Sequence, residues 1–363
     1  PEKYREWVGL ETGETEQMVG FVDFAPTVLA LAGQPVPPQM EGTPFLGAAA
    51  EEKPYIYGYR SRADDCYDVS RSVFDGRYLY VRHFMPHKPY IQNAVIFNRG
   101  KASYEELFRV KVAGKLPAEA QEMFTRKPVE ELYDLQADPQ ELNNLLATGS
   151  RHIVADELAL RLDQWMLKHH DTGLLNEGEM MLRAASHGSV YEMVRDPQAY
   201  DGEALLAAAK LVGTVTSLDQ LQPYLESNDS GVRYWALEAA DAWTGELSPL
   251  RERLRELLQD PSPVVAGKAA ELLGKHYGEL AALNKLKALL LLHEEPVVLQ
   301  AAINVRELGE QARPLLPAIQ NKVMPRYAGD VWGRYKNWLY PMFIGMALDQ
   351  TQENCGVEIP IRD

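Results

Sequence analysis

The densest run of chemistry-bearing side chains in this sequence is Tyr59-Arg60-Ser61-Arg62-Ala63-Asp64-Asp65-Cys66-Tyr67-Asp68, with Arg71 just beyond it. Guanidinium forks bind sulfate, phosphate or carboxylate through paired N–H donors. Aspartates accept from sugar hydroxyls and tyrosines stack on sugar faces, so the run suits an anionic carbohydrate. The opposing reading is a solvated loop whose arginines and aspartates pair with one another, and the residues alone leave both open. Cys66 has Asp64, Asp65 and Asp68 as neighbours, and their charge raises a thiol pKa and blunts a thiolate. His83 and His87 are four apart, but in a strand followed by a proline, whereas that spacing aligns two ligands only in a helix. No metal site is assigned. His169-His170-Asp171 closes a helix, where cationic side chains suit the dipole. The sequence has no Gly-rich phosphate loop, no G-x-S-x-G elbow, no H-E-x-x-H and no C-x-x-C.

Strands must position the arginine–aspartate run. Tyr55 to Tyr59 precedes it, and Val69 to Phe74 follows. Asp75-Gly76 then signals a hairpin into Tyr78 to Phe84, where Tyr78, Tyr80 and Arg82 alternate with Leu79, Val81 and His83. Upstream, Thr27 to Ala32 reads as a short helix, with Asp23 as its cap, Pro26 in its first turn and Gly33 as a left-handed stop. Downstream, Glu131-Leu132-Tyr133-Asp134-Leu135 suits a strand and Asp138-Pro139 a turn. Ile153 to His169 reads as an amphipathic helix with Leu158, Leu162, Trp165 and Met166 on one side.

Beyond residue 195 the texture becomes periodic. Val232, Val265 and Val298 stand 33 residues apart, and each opens a helix with apolar residues at helical spacing. Second helices, Leu250 to Leu258 and Leu283 to Leu292, lie between them, and Leu205–Leu211 with Leu218–Leu225 forms a capping pair. Two helices per fixed period predict a helical solenoid, since one pair cannot bury its apolar face alone. The pattern resembles HEAT-like repeats. Trp332, Tyr335, Trp338 and Tyr340, interleaved with Arg326, Arg334 and Lys336, are read as packing for the final helix rather than as a sugar-binding cluster.

The 363 residues include 46% hydrophobic and 25% charged positions, the composition of a globular protein with material for two or three domains. Two cysteines exclude a disulfide-stapled scaffold. Thirty-seven basic residues against 52 acidic ones give a net charge of -15, which argues against nucleic-acid and anionic-membrane partners. The apolar stretch Leu339 to Leu348 is too short to span a bilayer, which needs about 20 residues, so no membrane segment is expected. The chain begins at Pro1, which reads as a mature product or a fragment and leaves the compartment open.

Four separated motifs then resemble one family. Phe21-Val22-Asp23-Phe24-Ala25-Pro26-Thr27-Val28-Leu29-Ala30-Leu31-Ala32-Gly33 is similar to the segment that follows the catalytic core of type I sulfatases. Gln39 to Gly47, Arg71-Ser72-Val73 with Arg77 to Tyr80, and Glu131 to Leu135 with Asp138 to Leu145 continue the resemblance in order. The Tyr59 to Asp68 run and Phe84-Met85-Pro86-His87-Lys88-Pro89-Tyr90 resemble the heparan N-sulfatase branch. The resemblance implies an α+β chain. Residues 1–180 form a small antiparallel-sheet C-terminal subdomain of a fold in the alkaline phosphatase superfamily. An all-α HEAT-like solenoid over 196–345 and a tail over 346–363 follow.

It also implies hydrolysis of a sulfate ester or N-sulfate on a sulfated carbohydrate, in the periplasm or outside the cell. The family's formylglycine arises in a C/S-x-P-S-R motif that this sequence lacks, and its calcium ligands are likewise expected upstream of Pro1. Formylglycine and calcium are thus expected in a missing N-terminal catalytic domain, with which this chain partners, and no catalytic residue is assigned here. The chain alone is expected to be inactive. Arg60, Arg62, Asp64, Asp65, Asp68 and His87 are the candidate substrate-binding residues, forming one wall of the cleft. Two other readings stay open: a standalone repeat module binding protein or glycan, and a related phosphoric or phosphonic ester hydrolase.

Overall fold

Two tight turns generate the sheet. The computed structural model describes residues 16–92, 101–149, 152–331 and 333–359, so Trp332 and the first fifteen residues lie outside the described residues. Strand β1 (Ile56–Ala63) returns as β2 (Cys66–Phe74) through Asp64 and Asp65, with Asp64 in the left-handed region at φ 54°. Strand β2 returns as β3 (Tyr78–His83) through Asp75-Gly76-Arg77, with Gly76 at φ 97°. Connections this short join antiparallel neighbours. Strand β4 (Glu130–Asp134) adds to β3 antiparallel, Tyr80 opposite Leu132, in the order β1-β2-β3-β4. The expected loop from Arg60 to Asp68 is therefore mostly strand, with only Asp64 and Asp65 in the turn. Arginine and aspartate argue for a loop only while their charges lack partners, and here they have them.

Contacts divide the chain into two compact units. The first comprises residues up to Tyr59, Arg71–Arg82 and Glu130–Gln164. Its helix α1 (Phe24–Leu31) stops at Gly33, φ 69°, as expected. Asp23 does not cap that helix. Its buried carboxylate instead accepts the Gly20 N–H and the Thr43 N–H, each at 2.8 Å, and pairs with Lys53. Thr27 accepts the Phe45 N–H at 3.1 Å. One carboxylate and one hydroxyl thus fasten α1 to the segment after Gly42. On the β4 edge, Asn144 accepts the Leu132 N–H at 3.1 Å while the Leu145 N–H donates to the Leu132 carbonyl. That bonding is what the Glu141-Leu142-Asn143-Asn144-Leu145 run supplies.

The second unit comprises Arg60–Ser70, His83–Val129 and residues from Trp165 onward. It is mainly helical: α2 (Ala102–Val112), the end of α3 (Ile153–Lys168), α4 (Glu177–Ala184), α5 (Gly202–Ala209), α6 (Ser230–Ala242), α7 (Arg251–Leu257), α8 (Pro263–Tyr277), α9 (Leu280–Leu290), α10 (Glu295–Glu307) and α11 (Tyr340–Asn354). The three valines spaced at 33 residues sit in the first turns of α6, α8 and α10, and all are buried. Each of those helices starts where its sequence dictates. Asp229 accepts the Gly231 and Val232 N–H groups, and Ser262 accepts that of Val265. Pro263 and Pro296 occupy first-turn positions, where no N–H is needed. Helix α8 ends on Gly278 at φ 61°. Gly267 lets α8 approach α10 closely, since a Cβ there would lie 2.9 Å from the Asn304 amide. The expected pair at Leu218–Leu225 is reduced to a 3₁₀ turn and a four-residue helix.

Leu272, in the middle of α8, is fully buried. Leu272→Ala is expected to cost about 2–5 kcal/mol in urea unfolding monitored by circular dichroism, against a change near zero for exposed Lys287→Ala.

Candidate functional site

The charged run at the β1–β2 turn is wired into the second unit rather than left to solvent. Arg62 forks onto Glu177, whose second contact runs from Nη2 to Oε1 at 3.1 Å, and its Nη1 donates to the Asp64 carbonyl. Tyr340 donates to the same Glu177 carboxylate at 2.6 Å, and the Tyr340 and Phe343 rings stack near the guanidinium. The Glu177 N–H in turn donates to the Tyr67 hydroxyl at 2.9 Å. Asp65, wholly buried, meets Arg306 Nη1 at 2.6 Å. Asp68 pairs with buried Lys127 and stands 3.3 Å from Arg60. Of the two arginines, Arg60 keeps the more open side chain, 40% exposed. Asp64 is half-buried at the tip of the turn.

These contacts fix the charge states. Burial alone would raise the Glu177 pKa, but Arg62 and the Tyr340 hydroxyl bring it below the usual carboxylate value. Burial pushes Asp65 up, against the pull of Arg306. Burial, with help from Asp65, pushes the Cys66 thiol up to about 12, which agrees with the expectation of an inert cysteine.

His87, the sixth predicted residue, lies elsewhere in the same unit. Its side chain is 6% exposed, with Nε2 at 3.2 Å from Glu238 and 3.7 Å from Asp241. Lys268 bonds Asp241 at 2.8 Å and Glu271 at 2.9 Å, and lies 3.4 Å from Glu238. Lys88 reaches Glu307 at 3.1 Å, and Lys275 reaches Asp241 at 2.8 Å. Despite burial, Lys88 and Arg306 hold Glu307 down at about 2. Burial raises Glu271 above the usual carboxylate range. The six predicted residues therefore do not converge on one point: Arg60 and Asp68 meet, Arg62 meets the Asp64 backbone, and His87 joins a separate set of partners.

The sequence reading missed Glu238, Asp241, Lys268 and Glu271. Their signal was the same 33-residue period, because Glu238, Glu271 and Asn304 each follow a repeat valine by six positions. All three are buried, and they mark a polar stripe inside an otherwise apolar stack. Part of the terminal cluster packs as expected. Tyr335 is buried and donates to Asp349 at 2.8 Å, Arg334 forks onto that carboxylate, and Arg326 donates to the carbonyls of Leu290 and Leu292. Trp338 remains exposed. Among the described residues, the one grouping with metal-ligand spacing is His87, Glu238 and Asp241. A ring nitrogen, two carboxylates and an adjacent ammonium do not suit calcium, which takes six to eight oxygens.

No protein-family profile matches the chain. Two curated proteins from Formosa agariphila, each named an ulvan-active sulfatase, do. One is 34% identical over 184 residues, 50% of this chain and 31% of its own length, and the other is 29% identical over 170 residues, 45% and 32% respectively. Half of this chain is homologous to sulfatases. The chain spans about a third of the length of those relatives. A solved structure described as a 2-O GAG sulfatase overlaps 41% of this chain and 25% of its own at 21% identity, with a TM-score of 0.26.

Asp65 and Arg306 are each other's counter-charge in a dry place. Arg306→Ala is expected to cost about 3–5 kcal/mol, because Asp65 is left buried without its counter-charge, and Asp65→Ala less, because Arg306 keeps Glu307 at 3.5 Å. The double variant Asp65→Leu/Arg306→Met is expected to recover most of that, and additive losses in denaturant titrations would refute the pairing. Glu177 has a folded pKa below its unfolded value of about 4.5, so its stabilisation is present above that pH and lost as pH falls through the folded value. Glu177→Gln should therefore lower the melting temperature at pH 7, with the gap to the parent narrowing below about pH 4.5. A gap that stays constant from pH 7 to 3 would contradict the assignment.

Proposed function

We propose that this chain is part of a sulfatase that hydrolyses sulfate, as ester or N-sulfate, from a sulfated glycan. The observation that carries the reading is the 34% identity over 184 residues to an ulvan-active sulfatase. Within that enzyme the β1–β2 turn supplies one wall of the substrate cleft. Arg60, with the more open guanidinium, and Asp64, at the tip, contact the sugar beyond the scissile sulfate. Arg62, Asp65 and Asp68 act behind them, holding the wall in place through Glu177, Arg306 and Lys127, while His87, with its separate partners, is not part of the wall. A formylglycine nucleophile and calcium supply the sulfur chemistry of such an enzyme. No residue of this chain is assigned to either, and its own catalytic domain is the partner that would hold them. The stacked helical pairs are HEAT-like, and the enzyme works in the periplasm or outside the cell. No helix among the described residues is long and apolar enough to cross a membrane.

The test is to express the complete reading frame that contains this chain and assay sulfate release from sulfated polysaccharides of algal and glycosaminoglycan type. Release that is absent from desulfated controls supports the reading. Arg60→Ala is then expected to raise KM about tenfold while kcat changes less, because it removes binding away from the reacting bond. No release from any sulfated polysaccharide, or unchanged kinetics in both Arg60→Ala and Asp64→Ala, would count against it.

A further inference from the structure

We propose that His87, Glu238 and Asp241 form a binding site for a divalent cation of the zinc class, and that this ion pins the His87 segment to helix α6. The ligand set joins one borderline imidazole nitrogen to two hard carboxylate oxygens, a mixture that zinc and its first-row neighbours accept. Ligand atoms bound to zinc at about 2.0–2.1 Å in a tetrahedral arrangement stand about 3.3 Å apart. Here Nε2 of His87 is 3.2 Å from a Glu238 oxygen and 3.7 Å from an Asp241 oxygen, and the three donor atoms lie within 4.8 Å of one another.

A second observation points to a ligand. His87 Nδ1, His87 Nε2 and Glu238 Oε2 are buried atoms without a hydrogen-bond partner. The 3.2 Å approach of Nε2 to Oε2 lacks hydrogen-bond geometry. Unsatisfied interior polar atoms are rare, and two of them facing one point call for a third party. Glu238 offers Oε2 to that point while its other oxygen, Oε1, is the one facing Lys268 at 3.4 Å. Asp241 gives Oδ1 to Lys275 and shares Oδ2 with Lys268.

Lys268 is the competitor for this position. Its ammonium already bonds Glu271 at 2.9 Å, so it can keep that partner when a cation takes Asp241 Oδ2. The carboxylates of Asp65, Glu238, Asp241, Glu271 and Glu307 face four cations, Lys88, Lys268, Lys275 and Arg306, which leaves one negative charge for an ion to offset when Glu271 is ionised. Because the ligands come from the segment after β3 and from α6, the ion acts as a staple. It takes no part in the sulfatase reading.

The experiment uses the full chain, stripped with chelator and dialysed. Zinc is titrated in competition with a chromophoric chelator, and cobalt(II) is followed by its visible absorption. One equivalent of zinc binding at micromolar Kd or tighter, intense tetrahedral cobalt bands and a melting temperature that climbs with zinc concentration are expected. His87→Ala should weaken binding at least about tenfold, and Glu238→Gln should do the same, so that one variant decides should the other not fold. Lys268→Met should tighten it. His187→Ala, at a surface histidine paired with Asp196, should leave it unchanged. A parent chain that binds no zinc below about 100 µM, or binding undiminished in both His87→Ala and Glu238→Gln, overturns the site.

Discussion

A guanidinium that cannot shed its proton must be paired wherever water is excluded, and Arg306 imposes that condition on its unit. Its side chain is 8% exposed and lies between Asp65 at 2.6 Å and Glu307 at 3.5 Å. Asp65 is thereby required at the hairpin tip, and Glu307 at the end of α10. Glu307 in turn anchors Lys88, whose neighbour His87 faces Glu238 and Asp241, and these surround Lys268. A single buried cation thus begins a chain of obligations. It passes from a strand turn through one segment of coil and into three repeat helices.

The use of charge here has a geometric effect that apolar packing lacks. Two greasy faces can slide by a fraction of a turn at little cost, whereas a bidentate or dry ion pair is satisfied in one register. Arg62 on Glu177, Lys127 on Asp68 and Arg306 on Asp65 set the β1–β2 turn at three points. Removing Arg306 would leave Asp65 buried without its counter-charge, so the turn is held by penalty as much as by attraction. Arg60 and Asp64, the less buried members of the run, are thereby held in one position.

Much of the fold was legible because it rests on local rules. Gly33 and Gly76 ended a helix and turned a hairpin where their positive φ is cheap, and the valines at 232, 265 and 298 marked the helices that bury them. The site was legible only in composition. The sequence shows that arginines and aspartates cluster near residue 64, but their partners, Glu177, Lys127 and Arg306, lie 59 to 241 positions away. No local pattern links them. Asp23 was misassigned for a related reason: an aspartate before a helix is a good cap, yet this one turned toward the Thr43 amide and Lys53. Glu238 and Glu271 show the converse: their 33-residue spacing is in the sequence, but nothing local marks them as buried or names the lysine between them.

Stacks of helical pairs ordinarily gain and lose units with ease, since each unit touches only its neighbours through similar apolar faces. This stack is different. The equivalent positions carry Glu238, Glu271 and Asn304, and the lysine that serves the first two belongs to the middle unit alone. Excising that unit would set Gln300 and Asn304 against α6 and leave Glu238 and Asp241 without Lys268. Duplicating it would bring a second Lys268 with a second Glu271 but no second Asp241, the α6 carboxylate that Lys268 bonds. The middle helix is therefore not interchangeable with its neighbours, because its lysine is what answers the buried carboxylates of α6.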